Sequence, residues 1–338
     1  MMRSLQADQI RRAMHRALRQ YELSDQHAAD VTETLLTTSL RGVDTHGVRL
    51  LETYLRELAG GRAKSAPVME LRSTTAATAV LDADGALGVV AANEAIRMAM
   101  QRAEEHGVSV IVVKNSNHCG ALGYYTELAA RSGFLTLAFS NSDALVAPHN
   151  GVRPLNGTNP IAMSAPGING DGFDLDMATS QASFTRVRQY AAAGIRMPPG
   201  LAIGSDGEDS NLTGQVHCLQ PLGGYKGQAL GTMVQILCAL LSGMPFDFEL
   251  SNAYEEPYSV PRNISHCFIC LRIDAFTELG KFQERTSALL NVFRGSAPDN
   301  AVTVAGDHER RTFDERMQSG IPLSDAEWTL LEPYLNAA

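Results

Sequence analysis

The chain has 338 residues, of which 44% are hydrophobic and 19% charged, and its formal net charge at pH 7 is −9. This length suits two domains, or one domain with a large insertion, and the composition excludes a disordered chain. A mildly acidic chain without a basic run predicts no nucleic-acid partner and no membrane partner, so an anionic substrate would be held by one or two local arginines or lysines.

The apolar segments argue against export and membrane insertion. Residues 1–20 are charged throughout and lack the apolar core of a signal peptide. The longest apolar stretch, 229–241, is interrupted by Thr232 and Gln235 and is too short to span a bilayer. We expect this stretch to form a helix that is buried on most of its faces, and we predict a cytoplasmic protein.

Helical periodicity dominates the first 60 residues. A second helix is expected after Ser24 and a third after His46, and the first carries apolar residues at helical spacing: Ile10, Met14, Leu18 and Tyr21. Two strand-like runs, 68–74 and 78–84, precede a long helix over about 89–105.

From residue 108 the pattern changes to strand, turn and helix. The run "VSVIVV" is typical of a strand buried on both faces, and further strands are predicted over 134–142, 160–166 and 173–178. The chain ends in two helices, and the last has a capping box of Ser324 and Glu327. We predict an α/β domain over 108–295, and a helical domain formed by 1–107 together with 296–338.

The five cysteines predict neither disulfides nor a metal site. An odd count without a signal peptide argues against a disulfide framework. Cys267 and Cys270 form a CxxC, but they lie in a predicted strand that would point them to opposite faces. No second CxxC completes a zinc site, so we interpret the cysteines as structural thiols.

Two histidines in glycine-flanked turns suggest acid–base catalysis on a small polar substrate. His46 lies in "DTHGVR" at the start of a predicted helix, and Arg49, one turn on, could capture a substrate carboxylate on the same face. A capping histidine beside a solvated arginine is an equally good interpretation of that segment. His118 lies in "NSNHCGALGYY" directly after a strand, where ligands of α/β sheets usually bind, although a turn histidine bonded to backbone would have the same pattern.

A carboxylate and a lysine add to this candidate site. Asp176, in "FDLDMATS", is costly to bury unless paired, and pairing with a histidine would orient the imidazole, whereas pairing with backbone or an arginine would be structural. Lys226 follows two glycines at the start of the apolar helix, a position suited to an anion or simply to a solvated lysine. Thr158 and Asn159 could bond a substrate or form a turn.

The usual nucleotide-binding motifs are absent. No GxGxxG follows a strand and no GxxxxGK[ST] occurs, so the chain carries neither a Rossmann fingerprint nor a P-loop. A nicotinamide cofactor would have to bind by another route.

Seven segments, in this order, resemble the malate/L-lactate dehydrogenase family that lacks a Rossmann fold and that includes sulfolactate, ureidoglycolate and diketogulonate oxidoreductases and cyclic ketimine reductases. The segments are "RGVDTHGVRLL", "NSNHCGALGYY", "NGTNPIAMSAP", "DLDMATS", "LGGYKGQALGTMVQIL", "RIDAF" and "RMQSGIPL". They extend over about residues 35–325. The resemblance implies a homodimer with a non-Rossmann α/β (α+β) fold, in which a mixed sheet is accompanied by a helical domain, and NAD- or NADP-dependent reduction of a 2-oxo acid.

The resemblance also assigns residues to the site. It implies that His46 and His118 occupy the acid–base positions and that Asp176 pairs with the first histidine. We expect substrate contacts from Thr45, Arg49, Tyr54, Thr158 and Asn159. The cofactor contacts that the resemblance implies are Ser142, Asp176, Met177, Ala178, Lys226, Ala305, Gly306 and Asp307.

This chain departs from the family pattern beside both histidines. Many members have an arginine where Leu50 stands, and Arg49 comes one residue earlier, so its guanidinium would be redirected. Cys119 replaces a common phenylalanine, and one basic residue is missing around Phe184 and Arg186. These changes suggest a substrate unlike plain malate or lactate.

We therefore expect an enzyme that interconverts a small 2-hydroxy acid and its 2-oxo acid by hydride transfer, with a small anionic substrate and NAD or NADP. A cyclic imine is the closest alternative substrate. A non-catalytic ligand-binding member is a second alternative. A metal-dependent lyase or hydrolase that uses His46, His118 and Asp176 as ligands is a third, although their spacing matches no compact metal motif.

Overall fold

The computed structural model describes residues 3–253, 258–299 and 301–335. Within these residues the helices are α1 (Ala7–Arg19), α2 (Asp25–Leu40), α3 (Leu51–Ala59), α4 (Gly88–His106), α5 (Leu122–Arg131), α6 (Phe184–Ala193), α7 (Tyr225–Gln235), α8 (Leu279–Arg294), α9 (Asp307–Ser319) and α10 (Asp325–Leu335). The strands are β1 (Arg3–Leu5), β2 (Glu70–Arg72), β3 (Thr78–Asp82), β4 (Val108–Ser116), β5 (Phe134–Ser140), β6 (Ile161–Ala165), β7 (Phe173–Met177), β8 (Ala202–Ile203), β9 (Cys218–Leu219), β10 (Ile264–Arg272) and β11 (Ile321–Leu323).

Seven of these strands form one mixed sheet in the order β2-β3-β4-β10-β5-β6-β7. Only the β3–β4 pair among these neighbours is parallel, and the others are antiparallel. The mixed sheet with accompanying helices confirms the predicted fold class. The apolar run that begins at Val108 forms β4, next to the centre of the sheet, which explains why both of its faces are largely buried.

The sheet extends across the domain boundary that the sequence suggests near residue 107. β2 and β3 precede that boundary, yet they belong to the same sheet as β4 and β10, and α4 packs against both of the latter. One hydrophobic cluster joins residues of α1, such as Met14, to residues of β10, such as Phe268. The division into 1–107 with 296–338 and 108–295 stays a prediction, and the sheet is not confined to the second unit.

The two ends of the described chain pack together. β1 pairs antiparallel with β11, and α1 contacts α10, whose Leu331 is fully buried. The predicted capping box of α10 is confirmed, because Glu327 N donates to Ser324 Oγ at 3.3 Å and Ser324 N donates to Glu327 Oε2 at 2.6 Å. These contacts fix the C-terminal helix on the N-terminal one.

The long apolar helix is less buried than its composition suggests. α7 continues as a π-helical segment, Ile236–Leu240. Val234 of α7 and Cys238 of this segment pack on the sheet. Three residues of the other face are 47%, 50% and 55% exposed: Ile236, Leu240 and Leu241. The prediction of burial on most faces is therefore wrong, because an all-apolar pattern cannot distinguish a face against the chain's own core from a face without cover. Within the described residues, no helix is long and apolar enough to cross a membrane.

The five cysteines are buried and free of disulfides. Cys267 and Cys270 lie in β10 and contribute to two separate hydrophobic clusters, as the strand geometry predicts. Burial raises the pKa of Cys267 to about 12 and that of Cys270 to about 11, so both remain protonated thiols near neutral pH.

Candidate active site

A cavity of about 640 Å³ lies where the two histidine segments meet the end of β7. Its size is typical of a pocket for a small molecule or cofactor. The cavity brings together many of the residues predicted from the sequence, which are Thr45, His46, His118, Ser142, Thr158, Asp176, Met177, Ala178, Ala305 and Gly306.

A break in the helix direction separates His46 from Arg49. His46 ends one 3₁₀ turn, Asp44–His46, and Arg49 lies in the next, Val48–Leu50, before α3 begins. Gly47 joins them in an extended conformation, with φ −95° and ψ −141°. The two side chains therefore do not share a helix face: His46 lines the cavity, and Arg49 is exposed and does not line it.

His118 lies directly after β4 and is oriented through one ring nitrogen. Gly120 N donates to His118 Nδ1 at 3.2 Å, and Tyr54 Oη lies 3.0 Å from the same nitrogen. A nitrogen that accepts a backbone N–H carries no proton, so the neutral ring is protonated at Nε2. Tyr54 then also donates to Nδ1, and Nε2 is left as the proton donor of His118.

The two imidazoles face each other. Their ring centroids are 5.6 Å apart and their planes differ by 23°. Burial lowers the pKa of His46 to about 4, and burial followed by the charges of His46 and Arg262 lowers the pKa of His118 well below its ordinary value. Both rings are therefore neutral near pH 7.

Asp176 does not form the histidine pair that the sequence predicts. Its Oδ2 accepts the N–H of Gly123 at 2.7 Å, at the start of α5, and no histidine nitrogen lies within 4.0 Å of its carboxylate. The side chain is accessible from within the cavity, yet the surrounding protein desolvates it enough to raise its pKa to about 6, against the hydrogen bond from Gly123 and the charge of Arg41. The pairing fails because a backbone donor from a neighbouring element is closer than either imidazole.

Two of the residues predicted to contact substrate are buried away from the cavity. Asn159 is fully buried, and its Nδ2 donates to Asp247 at 2.7 Å and to the carbonyl of Gly231 at 2.9 Å. Its amide is thus used within the fold rather than presented to a ligand. Tyr54 is also fully buried, and its hydroxyl contacts His118 instead of the cavity.

Two of the residues predicted to contact the cofactor also lie outside the cavity lining. Lys226 is exposed on the first turn of α7. Asp307 forms ion pairs with Arg294 and Arg310, at 2.6 and 2.7 Å. Although burial alone would raise the pKa of Asp307, the hydrogen bonds from Arg294 and from Val304 N–H lower it to about 2. Its neighbours Ala305 and Gly306 do line the cavity.

A buried carboxylate that the sequence analysis missed holds this region in place. Asp247 is fully buried and accepts hydrogen bonds from four groups, which are Asn141 Nδ2, Gly157 N, Asn159 Nδ2 and Gln235 Nε2. Burial raises its pKa to about 6 in spite of these donors. Asp247 thereby ties the segment that carries Ser142 and Thr158 to α7. Its spacing to the other residues in the chain gave no signal, because the donors come from three separate segments.

Three arginines line the cavity within the described residues: Arg41, Arg188 and Arg262. The side chain of Arg41 is 10% exposed and is paired with Glu127 and, at 3.5 Å, with Asp174. Arg188 lies on α6, where its guanidinium is 5.3 Å from the ring centre of Phe184. Arg262 is 2% exposed and donates through Nη2 to Asp143 at 2.6 Å. None of the three is predicted as a site residue from the sequence: Arg41 begins the segment "RGVDTHGVRLL", whereas no quoted motif includes Arg188 or Arg262.

A third buried histidine, His266, has a structural role in the sheet. His266 of β10 is fully buried, with Nδ1 2.9 Å from Ser140 Oγ and Nε2 3.0 Å from Ser116 Oγ. Burial lowers its pKa to about 3, so it remains neutral and links β4 to β5 across the sheet.

The His, Cys, Asp and Glu side chains of the described residues do not form a metal site. No group of three His, Cys, Asp or Glu side chains in 3–253, 258–299 and 301–335 is arranged to hold a metal ion. The metal-dependent alternative thus has no ligand set in this part of the chain.

β7 and the segment before α9 form one wall of the cavity. Asp174 N donates to the carbonyl of Ala305 at 3.1 Å, which holds the two segments together. Gly306 has a φ of +100°, and a Cβ there would lie 2.9 Å from Asp174 Oδ2. The cavity volume and the small residues on this wall, such as Ala178, Ala305 and Gly306, are typical of a small-molecule or cofactor pocket.

A family model described as malate/L-lactate dehydrogenase matches residues 5–332 of the chain. The chain belongs to the malate/L-lactate dehydrogenase family. A malate dehydrogenase of this family from Pyrococcus abyssi is 34% identical over 321 residues, which cover 91% of this chain and 87% of the relative. The resemblance found in the sequence is confirmed, and the chain is an oxidoreductase of the hydroxy-acid dehydrogenase type.

Solved structures agree with this assignment. A malate dehydrogenase from Entamoeba histolytica superposes with a TM-score of 0.93 at 25% identity and covers 100% of this chain and 99% of its own. A delta1-piperideine-2-carboxylate reductase from Pseudomonas syringae superposes with a TM-score of 0.89 at 26% identity and covers 98% of this chain and 99% of its own. The same fold thus serves proteins named for a hydroxy acid and for a cyclic imine.

Proposed function

We propose that this protein interconverts a small 2-hydroxy acid and its 2-oxo acid by hydride transfer with NAD or NADP. The observation that carries the proposal is the pair of neutral imidazoles, 5.6 Å apart, on the wall of one cavity. Such a pair can exchange a proton with a substrate oxygen on one side and donate a hydrogen bond to it on the other. Membership of a dehydrogenase family supports the same reaction.

The nicotinamide cofactor would supply or accept the hydride. Ser142, Met177, Ala178, Ala305 and Gly306 line the cavity and are the residues we propose to hold it. Lys226 and Asp307 do not line the cavity and are not part of this proposed set.

The chain's own residues would handle the proton. His46 takes the hydroxyl proton during oxidation and returns it during reduction, and its lowered pKa keeps the imidazole in the neutral form that can accept this proton. His118 donates through Nε2–H to the substrate oxygen, since Nδ1 is occupied by Gly120 and Tyr54. Thr45 and Thr158 are the further candidates for substrate contact.

We also propose that the protein is a homodimer, as the resemblance implies, and that it is located in the cytoplasm, as the apolar segments of the sequence suggest. The exposed apolar face of the segment that follows α7 supports the dimer, because contiguous exposed apolar side chains commonly mark an interface. A dimer of this kind would cover Ile236, Leu240 and Leu241.

A cyclic imine is the second candidate substrate. It is supported by the similarity to a delta1-piperideine-2-carboxylate reductase. A ring nitrogen would take the place of the carbonyl oxygen beside the same two imidazoles, and the hydride would reach the adjacent carbon.

The test begins with fluorescence titration of the purified protein with NADH and with NADPH. Absorbance decay at the nicotinamide band is then followed with a panel of 2-oxo acids and cyclic imines. We expect one cofactor to bind and at least one panel member to be reduced. Faster reduction of an imine than of every 2-oxo acid would favour the second candidate. If neither cofactor binds, the dehydrogenase proposal fails and a ligand-binding protein becomes the better interpretation.

A further inference from the structure

The cation that would hold the substrate's carboxylate cannot be the one that the sequence predicts. Leu50 fills the place where many family members carry an arginine, and Arg49 is exposed and does not line the cavity. A 2-oxo acid and a cyclic 2-carboxylate imine both carry a carboxylate next to the reducible carbon. A buried carboxylate needs a charged or strongly hydrogen-bonding partner, so another residue must supply it.

We propose that Arg262 binds the substrate's carboxylate beside His118. This inference rests on the proposed function and names the residue that selects an acid for that reaction. Arg262 precedes β10, lines the cavity, and has a side chain that is 2% exposed. Its position after a loop, far from both histidine motifs in the sequence, explains why the pattern of the chain did not indicate it.

The hydrogen bonds of Arg262 leave donors for a ligand. Nη2 is fixed by Asp143 Oδ1 at 2.6 Å, while the buried Nε has no hydrogen-bond partner within the described residues. A buried guanidinium N–H without a partner is energetically costly unless a ligand or water satisfies it. A guanidinium that is held through Nη2 and keeps a buried N–H without a protein partner is suited to a planar carboxylate.

The position of Arg262 relative to the reacting centre agrees with this role. Arg262 and His118 line the same cavity, and the charge of Arg262 contributes to lowering the pKa of His118. A carboxylate on Arg262 would therefore bring the adjacent carbonyl or imine carbon towards His118. The other cavity arginines are engaged elsewhere, with Arg41 paired to Glu127 and Asp174 and Arg188 stacked over Phe184 on α6.

A second arginine and two carboxyl groups surround Arg262. Arg62 and Arg262 are accompanied by Asp143 and Glu57, and Arg62 and Glu57 are almost fully buried, 3.7 Å apart. Burial raises the pKa of Glu57 to about 7 against the charges of the two arginines, so this carboxyl is partly protonated near neutral pH.

The test compares the wild-type protein with Arg262→Gln and Arg262→Lys. The double variant Arg262→Gln/Asp143→Asn replaces Arg262→Gln if the unpaired Asp143 carboxylate prevents the single variant from folding, because it removes both charges. The substrate is the 2-oxo acid that the wild type reduces fastest, alongside its uncharged carboxamide. We expect Arg262→Gln to raise KM for the acid about 100-fold, with a smaller change in kcat, because two hydrogen bonds to a charged group are lost. The preference for the acid over the amide should collapse, and Arg262→Lys should retain part of it.

A binding measurement provides a readout besides turnover. Oxamate, an unreactive 2-oxo acid analogue, is titrated calorimetrically into each protein saturated with its nicotinamide cofactor. We expect Arg262→Gln to lose oxamate binding. Its cofactor affinity and thermal unfolding midpoint should stay near those of the matched control Arg285→Gln, which replaces an exposed arginine. The proposal is overturned if Arg262→Gln leaves KM and the preference for the acid unchanged. Loss of that preference in Arg49→Gln or Arg188→Gln would then assign the carboxylate to one of those arginines.

A failure of the proposed dehydrogenase reaction can be distinguished from a failure of the Arg262 proposal by a binding measurement that needs no turnover. If the wild type reduces no panel member, oxalate titration into wild type and Arg262→Gln decides the inference by itself. Oxalate binding that depends on Arg262 would support a carboxylate site without the dehydrogenase reaction. No oxalate binding by the wild type would overturn both proposals.

Discussion

Burial keeps His46 neutral, and we therefore expect the pH dependence of the rate to differ between reduction and oxidation. If protonated His46 supplies the proton in reduction, kcat/KM for a 2-oxo acid should fall about tenfold per pH unit from about pH 5 to about pH 8, because a pKa of about 4 leaves ever less imidazolium. Oxidation of the hydroxy acid needs the neutral ring, which is already populated, and should be nearly flat over the same range.

Steady-state profiles in both directions, with saturating cofactor, measure this. His46→Gln should lower both rates and remove the slope in reduction. A reduction rate independent of pH in the wild type would instead make neutral His118 the proton donor, because its Nε2–H is present throughout.

Tyr54 contacts His118 through its hydroxyl and is expected to act on the reaction through that contact. Removing its hydroxyl in Tyr54→Phe leaves the ring packing in place and deletes the contact to Nδ1. We expect kcat to fall roughly 3- to 10-fold, the size of one ordinary hydrogen bond, with KM little changed. Tyr125→Phe is the matched control, since it also is fully buried and loses one hydrogen bond, to the carbonyl of Cys119. Equal loss of kcat in both variants would mean that Tyr54 has no specific role at His118.

At the scale of elements, Asp247 joins the connection between β5 and β6 to α7. An asparagine in its place would direct an NH₂ group at neighbouring donors and leave at least one of them unsatisfied. We expect Asp247→Asn to lower the free energy of unfolding by about 2–4 kcal/mol at pH 8, above the raised pKa of about 6, where the wild-type carboxylate is ionised.

Urea denaturation followed by circular dichroism measures that loss. Asp314→Asn, on the exposed surface of α9, is the control and should change stability by less than about 0.5 kcal/mol. If Asp247→Asn lowers the free energy of unfolding no more than the control does, the four hydrogen bonds to Asp247 do not stabilise the fold as proposed.

At the scale of the whole molecule, the exposed apolar face after α7 should decide the oligomeric state. The wild type is expected to elute with twice the chain mass of 36.4 kDa, as a dimer that covers Ile236 and Leu240. Ile236→Glu/Leu240→Glu should dissociate it, because two charges would be buried in an apolar interface.

Light scattering after size exclusion measures the masses. Val68→Glu, which places a charge at another exposed apolar position, should remain a dimer. A wild-type monomer at micromolar concentration, or a double variant that stays dimeric, would show that this face is not the interface.

The sequence by itself determined which elements form and which family the chain belongs to. Period-2 and helical patterns are local properties, so β4, β5, α1 and the capped α10 follow from neighbouring residues alone. The order of seven motifs identified the family, and glycines beside His46 and His118 indicated that both histidines would approach a ligand. These inferences need no knowledge of what lies far along the chain.

Only the tertiary structure decided which residues meet in the cavity. Asp176 bonds Gly123 rather than His46, and Asn159 faces Asp247 rather than a ligand, because each partner comes from a distant segment. Arg262 reaches the site from the start of β10, while the extended conformation of Gly47 separates Arg49 from His46. A side chain's direction depends on how the elements pack, and packing depends on contacts between residues far apart in sequence, which local patterns do not encode.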